Sequence, residues 1–308
     1  MKAPQVIIGV ISFTVGCSVL GQSAAEKPVG THYSAAFLKG SRLVVFPFNG
    51  NEVAVELPVA VGPFVFSANK PVIYGMLTSQ PDATADFVTV SIKPGGVSHL
   101  PGLNRFSYIN DLAVDAAGKK AIISAMYGLE AARRCGLFEL DLTTGRVEHI
   151  IDNVSGQCDY LSSWGELSLS PDGSRAVGRA QKGQLGVVNL KEHRIERLWS
   201  GSAASWSPDG KWIATLTLMT RRTKLELIDA HDFSKQRDLG AHNGGLQWSP
   251  DSRYLLVWES EWACGMGVGY IGTLKALDIE NGRRLPIKSS KCRVDAASTG
   301  WISDAVMK

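Results

Sequence analysis

Asp111, Glu166, His242 and Asn243 have the strongest claim to chemistry in this sequence. Each stands just before, or at the start of, a short apolar run. Two carboxylates, an imidazole and an amide could bind a cation or a small polar ligand if they converged. A hydrolase or lyase site would need that convergence, and no motif ties the four together. There is no Gly-x-Ser-x-Gly for nucleophilic catalysis. The remaining histidines, His32, His99, His149, His193 and His231, fall near the start of the chain, in hairpins or beside turns. No Cys-x-x-Cys or paired histidine suggests zinc. No metal, cofactor or catalytic residue is therefore expected.

A second group suits recognition better than catalysis. Arg133-Arg134 and Arg221-Arg222 are exposed-looking pairs that could contact an acidic protein or a glycan. Trp262 follows Glu261 in a cysteine-containing segment, and an exposed tryptophan on a pinned loop is a good binding anchor.

These residues are spaced by a repeat. Glu166 to Val177 reads ELSLSPDGSRAV, Ala204 to Leu216 reads ASWSPDGKWIATL, and Leu246 to Val257 reads LQWSPDSRYLLV. Each is an apolar strand, a Ser-Pro-Asp-Gly or Ser-Pro-Asp-Ser turn, and a second strand. Pro presets φ, Asp caps backbone N–H groups, and Gly accepts positive φ. Asp172, Asp209 and Asp251 are thus expected to cap hairpins rather than bind calcium. Trp206, Trp248 and Trp301 recur with the same period and are expected in the core. Weaker copies begin at Phe64 and Asp111, and a second hairpin follows in most repeats, as in Phe138 to Val147 and Lys275 to Leu285. Repeats of four strands and no helix, starting roughly 37 to 57 residues apart, predict an all-β propeller.

The ends of the chain sharpen the blade count. Gly300 to Asp304 (GWISD) matches a first strand, and Tyr33 to Leu38 with Arg42 to Leu57 supplies the three strands it lacks. The C-terminal strand should join the N-terminal blade and close a ring of six four-stranded antiparallel blades, removing exposed sheet edges. Seven blades is the alternative, because the stretch from Met126 to Trp164 is long.

The repeat also places the cysteines. Cys135 and Cys264 precede the third strand of their blades, and Cys158 and Cys292 follow the fourth. Connections between strands two and three and between blades leave a propeller on the same face. This predicts disulfides Cys135–Cys158 and Cys264–Cys292.

The Ser-Pro-Asp-Gly hairpin at Ser170, Ser207 and Ser249, with the Leu-Asp-x-x-Thr-Gly type hairpin at Leu140 to Arg146, resembles the TolB-type propeller repeat of bacterial envelope proteins. The separate N-terminal α/β domain of TolB has no counterpart, and the Trp-Asp and Gly-His of eukaryotic WD repeats are missing. The resemblance implies an extracytoplasmic propeller of a kind that often binds proteins.

Bulk properties agree. The 308 residues are 44% hydrophobic and 20% charged, an ordinary globular balance. A net charge of +3 without a basic run leaves no footprint for nucleic acid. Met1-Lys2, an apolar run from Val6 to Leu20 and Ser23-Ala24-Ala25 read as a signal peptide, 1–25, before a single domain, 26–308. An uncleaved anchor or lipidation at Cys17 are the alternatives for this segment; no later run is long enough to span a membrane. The expected protein is periplasmic or secreted and binds a protein or glycan partner through its loop face. A propeller hydrolase or lyase, or a structural part of an envelope assembly, are the other readings.

Overall fold

The computed structural model describes residues 33–39, 41–46, 52–62, 64–67, 70–77, 86–92, 96–100, 106–127, 134–158, 164–218, 223–242, 246–261, 271–290 and 299–303. Among them there are strands and turns but no α-helix. Six four-stranded antiparallel sheets form in chain order. Blade 1 holds β1 (Tyr33–Lys39), β2 (Arg42–Phe46) and β3 (Val53–Glu56). Blade 2 runs β4 (Phe64–Phe66), β5 (Val72–Leu77), β6 (Asp86–Ser91) and β7 (Val97–Leu100). Blade 3 runs β8 (Phe106–Val114), β9 (Lys120–Tyr127), β10 (Arg134–Asp141) and β11 (Val147–Asp152). Blade 4 runs β12 (Gly165–Leu169), β13 (Arg175–Gln181), β14 (Gln184–Asn189) and β15 (Arg194–Ser200). Blade 5 runs β16 (Ala203–Trp206), β17 (Trp212–Leu218), β18 (Thr223–Asp229) and β19 (Gln236–His242). Blade 6 runs β20 (Gln247–Trp248), β21 (Tyr254–Glu261), β22 (Ile271–Asp278) and β23 (Arg284–Ser290).

The last strand, β24 (Thr299–Ser303), pairs antiparallel with β1, Tyr33 opposite Ser303 and Phe37 opposite Thr299. It is the missing first strand of blade 1. The first strands β4, β8, β12, β16, β20 and β24 touch one another in turn, and β24 touches both β20 and β4. The ring therefore closes with six blades. The long stretch after Met126 adds no seventh: it supplies β10 and β11 and then a twelve-residue connection to β12.

Burial on both faces of each blade explains the near-continuous apolar strands. Six clusters fill the six seams. Along β17, Ile213 enters the cluster shared with Val177, Val187 and Trp206, while Ala214 and Leu216 enter the one shared with Leu255 and Val257. Successive side chains thus serve opposite seams. The closing seam joins Ala35 and Trp301 of blade 1 to Tyr254, Leu256 and Leu274 of blade 6.

The turn chemistry is as the repeat requires. Ser170 Oγ donates to Asp172 Oδ1 at 2.6 Å and accepts from Arg175 N–H at 2.9 Å, and Ser207 repeats this with Asp209 and Trp212 at 2.7 and 2.9 Å. Gly173 takes φ +67, and Ser252 takes +60 at the same place. The three aspartates are hairpin caps, and Trp206, Trp248 and Trp301 are buried.

Candidate functional site

The two faces of the ring are built differently. On one, every connection within a hairpin has four to six residues, and most have five. On the other, where strands two and three connect and where one blade passes to the next, lengths run from two residues (201–202) to twelve (153–164). Irregular loops on a rigid scaffold are where binding functions concentrate.

The twelve-residue connection is clamped. Cys135, the second residue of β10, bonds to Cys158, with Cα atoms 5.3 Å apart. Cys135 is buried and Cys158 exposed. The neighbouring main chain is tied as well: Asn153 N–H donates to the Cys135 carbonyl at 2.8 Å, and Asn153 Nδ2 donates to the Gln157 carbonyl at 2.7 Å. At Gly136 a Cβ would stand 1.9 Å from the Ile151 carbonyl oxygen, so only glycine lets β11 approach here. The expected pair Cys264–Cys292 lies outside the described residues.

Arg134 begins β10 and is exposed beside this clamp. Lys182, which sequence reasoning missed, is exposed at the corresponding β13–β14 turn of blade 4. It stands alone in the sequence, so only its equivalent position in the repeat could have marked it. Arg133, Arg221, Arg222, Trp262 and Asn243 lie outside the described residues. Glu261 ends β21 and so sits on the same face.

The proposed channel-mouth group is brought together only in part. His242 is the last residue of β19, the outermost strand of blade 5, away from the ring of first strands. Reading it as part of the channel mouth is corrected: a fourth strand ends at the rim, and the chain must cross the blade before the next first strand starts. His149, expected beside a turn, is within β11, its ring edge-on to Phe138 at 5.1 Å.

Asp111 and Glu166 do meet. Asp111 lies on β8 at a register shift, and β12 shifts register between Gly165 and Ser168. Asp111 Oδ2 accepts the Leu167 N–H of the next blade at 2.7 Å, and Oδ1 accepts the Leu112 N–H at 2.8 Å. Glu166, at φ +52, also turns its N–H to this carboxylate. Beside it, Asn110 Nδ2 donates to the Trp164 carbonyl. Burial pushes the Asp111 carboxyl up to about 6, against the opposing pull of the Leu167, Leu112 and Glu166 N–H groups and the Arg179 charge. Its oxygens are engaged by main-chain donors of two blades, so it fastens the seam between them. Among the described residues no three of His, Cys, Asp or Glu gather as a metal site.

Fold and seams together define a six-bladed β-propeller. No family model and no curated protein matches the sequence. Solved structures match in fold. TolB from Acinetobacter baumannii superposes with a TM-score of 0.63 at 14% identity, covering 88% of this chain and 66% of that one. The chain thus spans about two thirds of that protein. A propeller of a nidogen/laminin complex gives 0.59 at 9% identity, covering 88% and 99%. An oligogalacturonate lyase in complex with manganese gives 0.54 at 11%, covering 79% and 69%.

Proposed function

We propose that this chain is an extracytoplasmic, TolB-type propeller without catalytic chemistry, and that it binds a protein or glycan partner through the face of variable connections. The asymmetry between the two faces carries this reading. One face is built from capped turns of nearly constant length, and the other from connections of widely unequal length, one of them pinned by a disulfide. Export suits that disulfide, which persists in oxidising compartments, and suits the leader read in residues 1–25. Arg134 and Lys182 give the face exposed cations on two consecutive blades, and the sequence adds Arg133, Arg221 and Arg222 in connections of the same class, a composition suited to an acidic partner. Structural relatives support recognition as well as chemistry, since one is part of a nidogen/laminin complex and another is a lyase. An enzyme at the channel mouth would draw on Asp111, which is already engaged.

Site-specific photo-cross-linking in envelope extracts tests the reading. A cross-linker at position 134 or 157 should yield a defined adduct, and one at position 144 or 211 on the opposite face should not. Adducts from the second pair alone would overturn it.

A further inference from the structure

The Asp111 carboxylate lies where two bulged first strands meet, and it spans the seam they share. It binds one main-chain donor of its own strand and two of the next blade. The strand it holds, β12, begins just after the connection that Cys158 anchors. We infer that Asp111 is a proton-sensitive latch on the seam between blades 3 and 4, fastening the inner edge of β12 to β8.

Among the described residues few charges compete for this role. Among the described residues β8 lies along β4, β9 and β12 and also packs its apolar side chains on Tyr74 and Met76 of β5, Phe87 of β6 and Phe138 of β10, none of them charged. β4 carries no charge. On β9, Lys120 is at the far end of the strand and pairs with Glu139 at 2.9 Å. β12 brings Glu166, and Arg179 reaches in from β13 to a position 2.7 Å from where a Gly165 Cβ would stand. The latch therefore answers mainly to its own proton and to Arg179. A carboxyl that holds its proton more tightly in the closed seam than in water stabilises that seam most when protonated. The closed state loses this advantage as pH rises from about 4 to about 6, and opening becomes easier.

Amide hydrogen exchange on the oxidised full chain reads this directly and needs no partner, so it stands apart from the binding reading. After correction for intrinsic rates, protection of the Leu167 and Glu166 amides should fall roughly 30-fold between pH 4.5 and pH 8, if the seam is their exchange route. Amides of the seam between blades 5 and 6, such as Leu255 and Val257, should not follow. Asp111→Asn should abolish the dependence. Should that variant fail to fold, Arg179→Gln should move the transition to higher pH. Constant protection in the wild type, or a transition that persists in Asp111→Asn, would overturn the latch.

Discussion

Asp209 donates its main-chain N–H to the Oγ of Ser252, 2.8 Å away, across the seam between blades 5 and 6. The two residues belong to equivalent Ser-Pro-Asp turns of neighbouring blades. Ser252 occupies the left-handed position that glycine fills in the other two. The hydroxyl thus offsets a backbone cost that a non-glycine residue incurs there. Ser252→Ala should destabilise the protein by about 1 kcal/mol, because it keeps the strain and loses the bond. Ser252→Gly loses the bond but relieves the strain, and should be close to neutral. Urea denaturation of both variants checks this; equal losses would contradict the account.

The tryptophans of the repeat are not equivalent. Trp248 Nε1 donates to the Ser205 carbonyl at 3.0 Å, and Trp301 Nε1 donates to the Gln247 carbonyl at 2.9 Å, each reaching back to the preceding blade. Trp206 Nε1 has no such partner among the described residues, and the Arg175 guanidinium lies over the ring at 5.7 Å. Trp248→Phe should therefore cost about 1 kcal/mol more than Trp206→Phe, since the lost ring area is alike and only the first strands a buried carbonyl. Equilibrium unfolding of the pair measures the difference.

The clamp at Cys135 and Cys158 closes a loop with a sequence separation of 23 residues. By loop-closure entropy its loss should cost about 3 kcal/mol. The double variant Cys135→Ala, Cys158→Ala should unfold at correspondingly lower urea. It should become more susceptible to proteolysis between 153 and 164, with the opposite face unchanged.

Much of this fold was legible because its signals are local. A Ser-Pro-Asp-Gly turn carries its own hydrogen-bond partners within five residues, as Ser170, Asp172 and Arg175 illustrate. Ring closure was readable because a lone first strand at one end matched a blade lacking one at the other. The Cys135–Cys158 pairing followed from matched repeat positions. The site was less legible. The Leu167 partner of Asp111 is 56 residues away on another blade, and the bulges that aim both strands leave no mark in the apolar pattern. His242 was misplaced because its distance from the axis depends on which strand carries it, a radial fact that linear spacing conceals.

Acid stability should reflect opposing carboxylates. The Ser170 hydroxyl, with further donors from Ser174, holds Asp172 down to about 2. A carboxyl depressed on folding contributes stability above the ordinary aspartate range and loses it as pH falls through about 2. Asp111 has the opposite sign, so its protonation between pH 6 and 4 adds stability. Thermal midpoints, with other groups held constant, should gain from Asp111 on mild acidification and fall from about pH 4 downward. Asp172→Asn should make the lower limb shallower without altering the upper one. Scans at fixed ionic strength from pH 2 to 8 test both signs.

Recognition through the loop face makes a separate demand on charge. Arg134 is exposed at the edge of the clamp, and Lys182 is exposed at the same level one blade on. Neither has an ion pair among the described residues, so reversing them breaks no ion pair there. Arg134→Glu and Lys182→Glu should leave the thermal midpoint within about 1 °C, as expected for solvated surface sites. If the partner is acidic, the double reversal should weaken capture at least tenfold, mostly through slower association and with a strong dependence on salt. Capture unaffected by both reversals, alongside intact cross-linking from position 157, would mean that the face binds through its apolar and polar groups. Binding kinetics at two ionic strengths separate these outcomes, because only a charge-steered encounter slows as salt rises.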